Sequence, residues 1–155
     1  MREPDAINRE DIVNEVRQVF EQYEHALVDN NIDVLDHFFW HTENVVRFGA
    51  SESLYGIDAI RAFRRARPAD ALERDLVNTR INTFGADFAI ATTEFVRPGQ
   101  PVGRQTQVWV RFAHGWRIVS AHVSAMILPA PTSTPTPSAT VESELHQDDR
   151  QSIGG

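Results

Sequence analysis

Cysteine is absent from the 155 residues, and so is lysine. The first absence excludes disulfides, thiolate catalysis and cysteine-based zinc sites. The second means that all 15 basic residues are arginine, which excludes Schiff-base chemistry through lysine. Arginine is then the only permanent cation available to an anion, and its planar fork suits carboxylates. No run of about 18 apolar residues occurs, so no transmembrane helix is expected. The opening MREPDAINRED has no apolar signal-peptide core, which predicts a cytoplasmic protein without membrane partners. The net charge of −7 argues against nucleic acid as a partner. A small anionic substrate stays open, because a local arginine can outweigh a weak overall field. No HExxH pattern is present. Asp33, His37 and His41 are spaced four apart, but they share the side away from most neighbouring apolar residues and read as a solvated face.

Three helical segments come first. Ile12, Val16, Val19, Phe20, Tyr23 and Leu27 recur at helical spacing and predict a helix over 9–29, with Asn8 as N-cap. Tyr23 lies on the apolar stripe, so its hydroxyl points inward and needs a partner. Asp29-Asn30-Asn31 breaks this helix, and a shorter one is expected over 32–39. The segment 44–48 reads as a short strand in which Val45 and Arg47 share one face. An arginine bounded by apolar residues either reaches solvent or serves an anion. A third helix is expected over 57–67, with Ile57, Ile60 and Phe63 inward and Arg61, Arg64, Arg65 and Arg67 as a solvated basic face.

From Leu72 the signal is β. Residues 72–84 and 86–97 read as strands separated by a turn at Gly85. Residues 103–124, GRQTQVWVRFAHGWRIVSAHVS, read as a hairpin turning at His114-Gly115. That turn would set Gln107 opposite His122, Gln105 opposite Ser124 and Trp109 opposite Ser120, all on one face. Such a face suits the lining of a small-molecule pocket. The other face would carry Val108, Val110, Phe112, Val119, Ala121 and Val123. With no helix left to cover it, that face predicts a homodimer. The face occupied by Glu94 is not determined by the pattern. After Pro129 the chain is rich in Pro, Thr and Ser and is acidic. The division expected is a domain over 1–128 and a disordered tail over 129–155.

Helices followed by long antiparallel strands give an α+β domain, with the strands curved and the helices over the concave face. That arrangement resembles the cone-shaped fold of ketosteroid isomerase, SnoaL-like cyclases and nuclear transport factor 2. Four ordered blocks are more specific: YGIDAIRAFRRAR at 55–67, TFGADFA at 83–89, GRQTQVWVRF at 103–112 and GWRIVSAHVS at 115–124. They resemble the oxalurate-catabolism family of HpxZ and AtzH over residues 8–128.

The resemblance implies a decarboxylating amidohydrolase on a carboxylated urea or ureide, of the type that converts 1,3-dicarboxyurea to allophanate. It also implies association with an amidase of the amidase-signature type. A tyrosine of the first helix and an arginine of the first strand are implicated in that chemistry, and they match Tyr23 and Arg47. In this reading Arg47 clamps a substrate carboxylate and Tyr23 transfers or orients a proton, which as a base would need a nearby cation. Gln105, Gln107, His122 and Ser124 would bind the urea core, and Trp40, Tyr55 and Trp109 would wall the cavity. No metal or cofactor is called for. Two alternatives stay open. One is a non-catalytic accessory or ligand-binding subunit of an amidase. The other is an isomerase, cyclase or dehydratase, in which Glu94 or His122 would carry the reaction.

Overall fold

Alternation of period 2 after residue 72 and of period 3.6 before it places the helices and the long strands in sequence order. The computed structural model describes residues 6–127. Its elements are α1 (Glu10–Val28), α2 (Ile32–Phe38), β1 (Val46–Phe48), β2 (Ser53–Tyr55), α3 (Ile57–Ala66), β3 (Asp75–Phe84), β4 (Phe88–Val96), β5 (Gly103–Phe112) and β6 (Gly115–Ala125). The segment expected to be a disordered tail, 129–155, lies outside the described residues.

The six strands form one sheet in the order β2-β1-β6-β5-β4-β3. All neighbours are antiparallel except β1 and β6, which run parallel with Arg47 beside Ala121. The short strand β2 pairs with β1 and places Leu54 against Arg47. The helices pack on the concave face of this unclosed, curved α+β sheet. The core lies between them and is built from Val16, Phe20, Leu35, Phe39, Ile60, Trp109 and Ile118 with their neighbours.

Asn31, in the segment that breaks the first helix, caps α2 by accepting from the Val34 N–H at 3.3 Å. Asn8 does not cap α1. It sits at φ 53°, and its side-chain oxygen accepts from the Thr83 N–H at 2.8 Å, tying the lead-in to β3. Arg9 takes the cap position without a side-chain bond.

The central hairpin turns one residue earlier than expected. Phe112 pairs with Gly115, so Ala113-His114 form the loop, and Gly115 takes φ 108°, which only glycine adopts without strain. A bulge then interrupts the ladder between Val108 and Trp109, where Val119 is the extra residue on β6. Beyond it Gln107 faces Ala121, Thr106 faces His122 and Gln105 faces Val123. The inner face therefore carries Gln105, Gln107, Trp109, Ile118, Ala121 and Val123. His122 moves to the outer face, and Ala121 and Val123 leave it. The uncovered outer face is a mixture of Phe88, Ile90, Val108 and Val110 with Thr92, Thr106 and His122, not the wholly apolar surface expected.

Candidate functional site

Along helix α3 and its C-cap, Ile57, Ile60, Arg64 and Arg67 follow one another at spacings of three and four. Two arginines thus continue a stripe begun by two isoleucines, and both are carried toward the core. Arg64 is 1% exposed, and Arg67 is partly buried. The expected solvated basic face is corrected at these positions.

Arg64 lies against the rings of Tyr23 and Phe39, 5.6 and 5.7 Å from their centroids. Its Nη2 donates to the Tyr23 hydroxyl, while its Nε and Nη1 have no partner. None of the ion pairs among the described residues includes it. Tyr23 is 3% exposed and meets Phe38, Phe39 and Trp109 edge to face. The inward tyrosine expected from α1 is present, and its partner is Arg64.

Beside this pair is a cavity of about 430 Å³. Leu27, one turn beyond Tyr23 on α1, lines it, as do Arg47, Glu52, Phe63, Arg67, Arg74, Phe95, Arg97 and Ser124. Arg47 is 7% exposed and lies over Phe63 at 5.1 Å. It donates to Glu52 at 2.7 Å. Arg74 makes two 2.6 Å bonds to Glu24 and a 3.1 Å bond to Gln105. Its guanidinium sits 4.3 Å from the Phe95 centroid.

Four arginines line the cavity, and carboxylates neutralise only Arg47 and Arg74. Arg67 and Arg97 have no acidic partner among the described residues, and Arg64 behind them adds a third uncompensated charge. Burial lowers the Arg67 guanidinium to about 10, with the charges of Arg64, Arg47 and Arg74 adding to the effect and Tyr23 opposing it. Burial and then the Arg74 charge lower Arg97. A concave site that concentrates positive charge at the expense of its own guanidinium groups has the chemistry to hold an anion.

Burial alone would raise the Glu52 carboxyl, but hydrogen bonds from Arg47 and Ser51 and the Arg47 charge hold it below its ordinary value. Because that value is depressed on folding, the pair stabilises the protein above the ordinary glutamate range. The contribution is lost as pH falls through the depressed value. Glu52→Gln should therefore flatten the acid end of a plot of thermal midpoint against pH, measured by calorimetry. An unchanged slope would contradict the pairing.

The other expected site residues separate into groups. Gln105 is buried, with its oxygen on Arg74 and its amide nitrogen without a partner. Gln107 accepts from the indole of Trp109 at 3.1 Å, and the Trp109 ring meets Tyr23 edge to face. Ser124 pairs with Arg104 instead of Gln105 and lines both the arginine cavity and the outward groove that holds His122. His122 lines a different, outward groove with Arg104 and Thr106. Trp40 stacks on Phe112, and Tyr55 is 66% exposed and packs on Phe48. Neither walls the arginine cavity. Glu94 lies on the outer face and accepts from Asn78 at 2.6 Å. Among the described residues no cluster of three or more His, Asp or Glu could hold a metal, and no helix is long and apolar enough to cross a membrane.

Sequence reasoning missed Arg64, Arg67, Arg74, Arg97, Glu24 and Glu52. For Arg64 and Arg67 the signal was there: an apolar stripe that runs through Ile57 and Ile60 into arginine. For Arg74, Arg97 and Glu24 no local pattern marks them, because only the folded sheet brings their segments together.

The AtzH-like family model matches residues 5–128, and this span includes every arginine of the cavity. The chain belongs to the AtzH-like family. Solved structures agree with this. A protein of unknown function from Pectobacterium atrosepticum is 53% identical, with a TM-score of 0.79 over 81% of this chain and 98% of that one. A cystatin-like fold protein from Burkholderia xenovorans is 44% identical, with a TM-score of 0.76 over 79% of this chain and 98% of that one. A nuclear transport factor 2-like protein of unknown function from Pseudomonas putida, at 19% identity and TM-score 0.64 over 77% and 89%, shows the fold alone. No curated protein matches the chain. The AtzH-like cavity thus sits on a cystatin-like fold that nuclear transport factor 2-like proteins share, and a fold by itself does not fix a function.

Proposed function

We propose that this protein is a small hydrolase acting on a carboxylated urea or ureide, as the AtzH-like family suggests. The observation that carries the reading is the surplus of buried guanidinium charge around Tyr23. Arg67 and Arg97 supply forks for substrate carboxylate. The Tyr23 hydroxyl accepts from Arg64, so its own proton is free to be donated. In a decarboxylating step the C–N bond to the departing carboxylate breaks and its electron pair goes to nitrogen. The carboxylate leaves as CO2, and nitrogen takes the proton from Tyr23, which solvent then restores. Tyr23 does not line the open cavity, and Arg67 does. The cavity wall must therefore rearrange on binding for the hydroxyl to reach the substrate.

Purified protein should release CO2 from 1,3-dicarboxyurea, or consume oxalurate with release of ammonia. Absence of turnover on both substrates would overturn the hydrolase reading. The sealed position of Tyr23, 3% exposed, favours one second reading: a ligand-binding accessory subunit of an amidase. In that case the protein binds the anion without consuming it and is pulled down with the amidase. The isomerase alternative loses support, since Glu94 and His122 do not line the cavity.

A homodimer through the outer sheet face remains part of the proposal. Phe88, Ile90, Val108 and Val110 form a partly exposed apolar strip there, of the kind that monomers seldom leave open. Light scattering should give twice the chain mass, and a monomer at micromolar concentration would contradict the proposal.

A further inference from the structure

The loop joining β1 to β2 builds an acceptor next to a donor at the cavity wall. Arg47 Nη1 donates to Glu52 Oε1 at 2.7 Å. The other oxygen, Oε2, is held by the Ser51 N–H at 3.3 Å and its hydroxyl at 3.0 Å. The backbone closes the turn through Gly49 N–H to the Glu52 carbonyl at 2.8 Å. A Cβ on Gly49 would stand 1.7 Å from Glu52 Oε1 and 2.2 Å from its carboxyl carbon. Gly49 has no positive φ, so its role is space: the carboxylate lies where a side chain would otherwise be.

Capacity is left over on both partners. Among the described residues Arg47 makes no other hydrogen bond than the one to Glu52, so Nη2 and Nε are uncommitted. Glu52 Oε1 accepts only from Arg47 and retains a second lone pair. Both side chains line the cavity. A carboxylate already held by three donors, with its proton affinity lowered by them, is a poor proton acceptor. It remains a good hydrogen-bond acceptor.

The geometry points to the Arg47–Glu52 pair as the reader of an amide edge: Arg47 donates to a ureide carbonyl while Glu52 accepts the adjacent N–H. The ligand carboxylate goes to Arg67 and Arg97, which no carboxylate occupies. Glu52 is thus a specificity-determining residue that selects ureido acids over plain dicarboxylates, and Gly49 is a positioning residue that makes room for it. This deepens the ureide reading proposed above and rests on it.

The test is calorimetric titration of the full chain with oxalurate, a ureido acid, and with malonate, a dicarboxylate without N–H. Wild type should bind oxalurate more tightly. Glu52→Gln should weaken oxalurate by about ten-fold or more, the usual size for a hydrogen bond to a charged group, and leave malonate unchanged or tighter. Gly49→Ala keeps the charge but displaces the carboxylate, a flexible side-chain end, and should do the same. Arg67→Gln should weaken both ligands alike. Equal affinity of wild type for the two ligands, binding of neither, or oxalurate binding unaffected by both Glu52→Gln and Gly49→Ala would overturn the inference. The hydrolase reading fails separately. Glu52-dependent oxalurate binding without turnover of any ureide sinks the hydrolase and leaves the amide reader standing. Turnover that survives Glu52→Gln does the reverse.

Discussion

Arg64→Leu should make the protein more stable and abolish its turnover. Arg64 is 1% exposed, has two nitrogens without partners and no carboxylate beside it. A buried charge of this kind costs folding free energy that its single hydrogen bond to Tyr23 does not return. Leucine restores the stripe begun by Ile57 and Ile60. Replacing buried ionic groups by well-packed apolar ones is worth roughly 1–4 kcal/mol in favourable cases. For a domain of this size that is a rise of several degrees in thermal midpoint, roughly 2–8 °C per kcal/mol. The same substitution removes the donor that orients Tyr23 and one of the charges that attract the anion. Differential scanning calorimetry and kcat/KM on one preparation decide the matter. A fall in thermal midpoint would show that Arg64 is a structural residue and not strain kept for function.

Tyr23→Phe should lower turnover by about 10²–10⁴, the usual range for a group that transfers a proton in the transition state. Its effect on stability should exceed that of an ordinary core tyrosine. Phenylalanine keeps the packing against Phe38, Phe39 and Trp109 but leaves the Arg64 guanidinium without a hydrogen bond. Stranding a buried charged donor costs about 1–3 kcal/mol or more. The two effects separate in a double-mutant cycle. In an Arg64→Leu background, Tyr23→Phe should cost little stability, because no stranded charge remains. Wild-type turnover by Tyr23→Phe would remove Tyr23 from the chemistry and assign the proton to another group.

The fold was legible because its signals are repetitive. Three helices and four long strands each repeat their period several times, and the expected boundaries of α1, α2 and α3 fall within a residue or two of the structure. Register was not legible. The turn one residue early at Ala113-His114 and the bulge at Val119 depend on backbone torsions that no side-chain pattern announces. A slip of one residue turns every later side chain over, which is why His122 left the inner face while Gln105 and Gln107 stayed on it. Of the candidate site, the buried placement of Tyr23 and Arg47 was legible because each breaks the character of its own surroundings. Arg64 breaks the α3 stripe in the same way, but it lies among Arg61, Arg65 and Arg67, which hid it in a run of like charge. Arg74 and Arg97 depend on the distant strands that bring them to the cavity, and local reading has no access to that.

The parallel pairing of β1 with β6 has a consequence for how the protein assembles. Apart from its hairpin partner β2, the strand that carries Arg47 has only β6 beside it, with residue 47 seated against residue 121. Closing so long a chain segment costs entropy that must be met before the contact rewards it. On the ribosome the helices emerge and gain structure first, since synthesis runs from the N-terminus. The Arg47 wall has nothing to dock on until the last strand has been released. The Arg47 side of the cavity is therefore a late product of folding, and a nascent or truncated chain lacking β6 carries α3 and its arginines without that wall beside them.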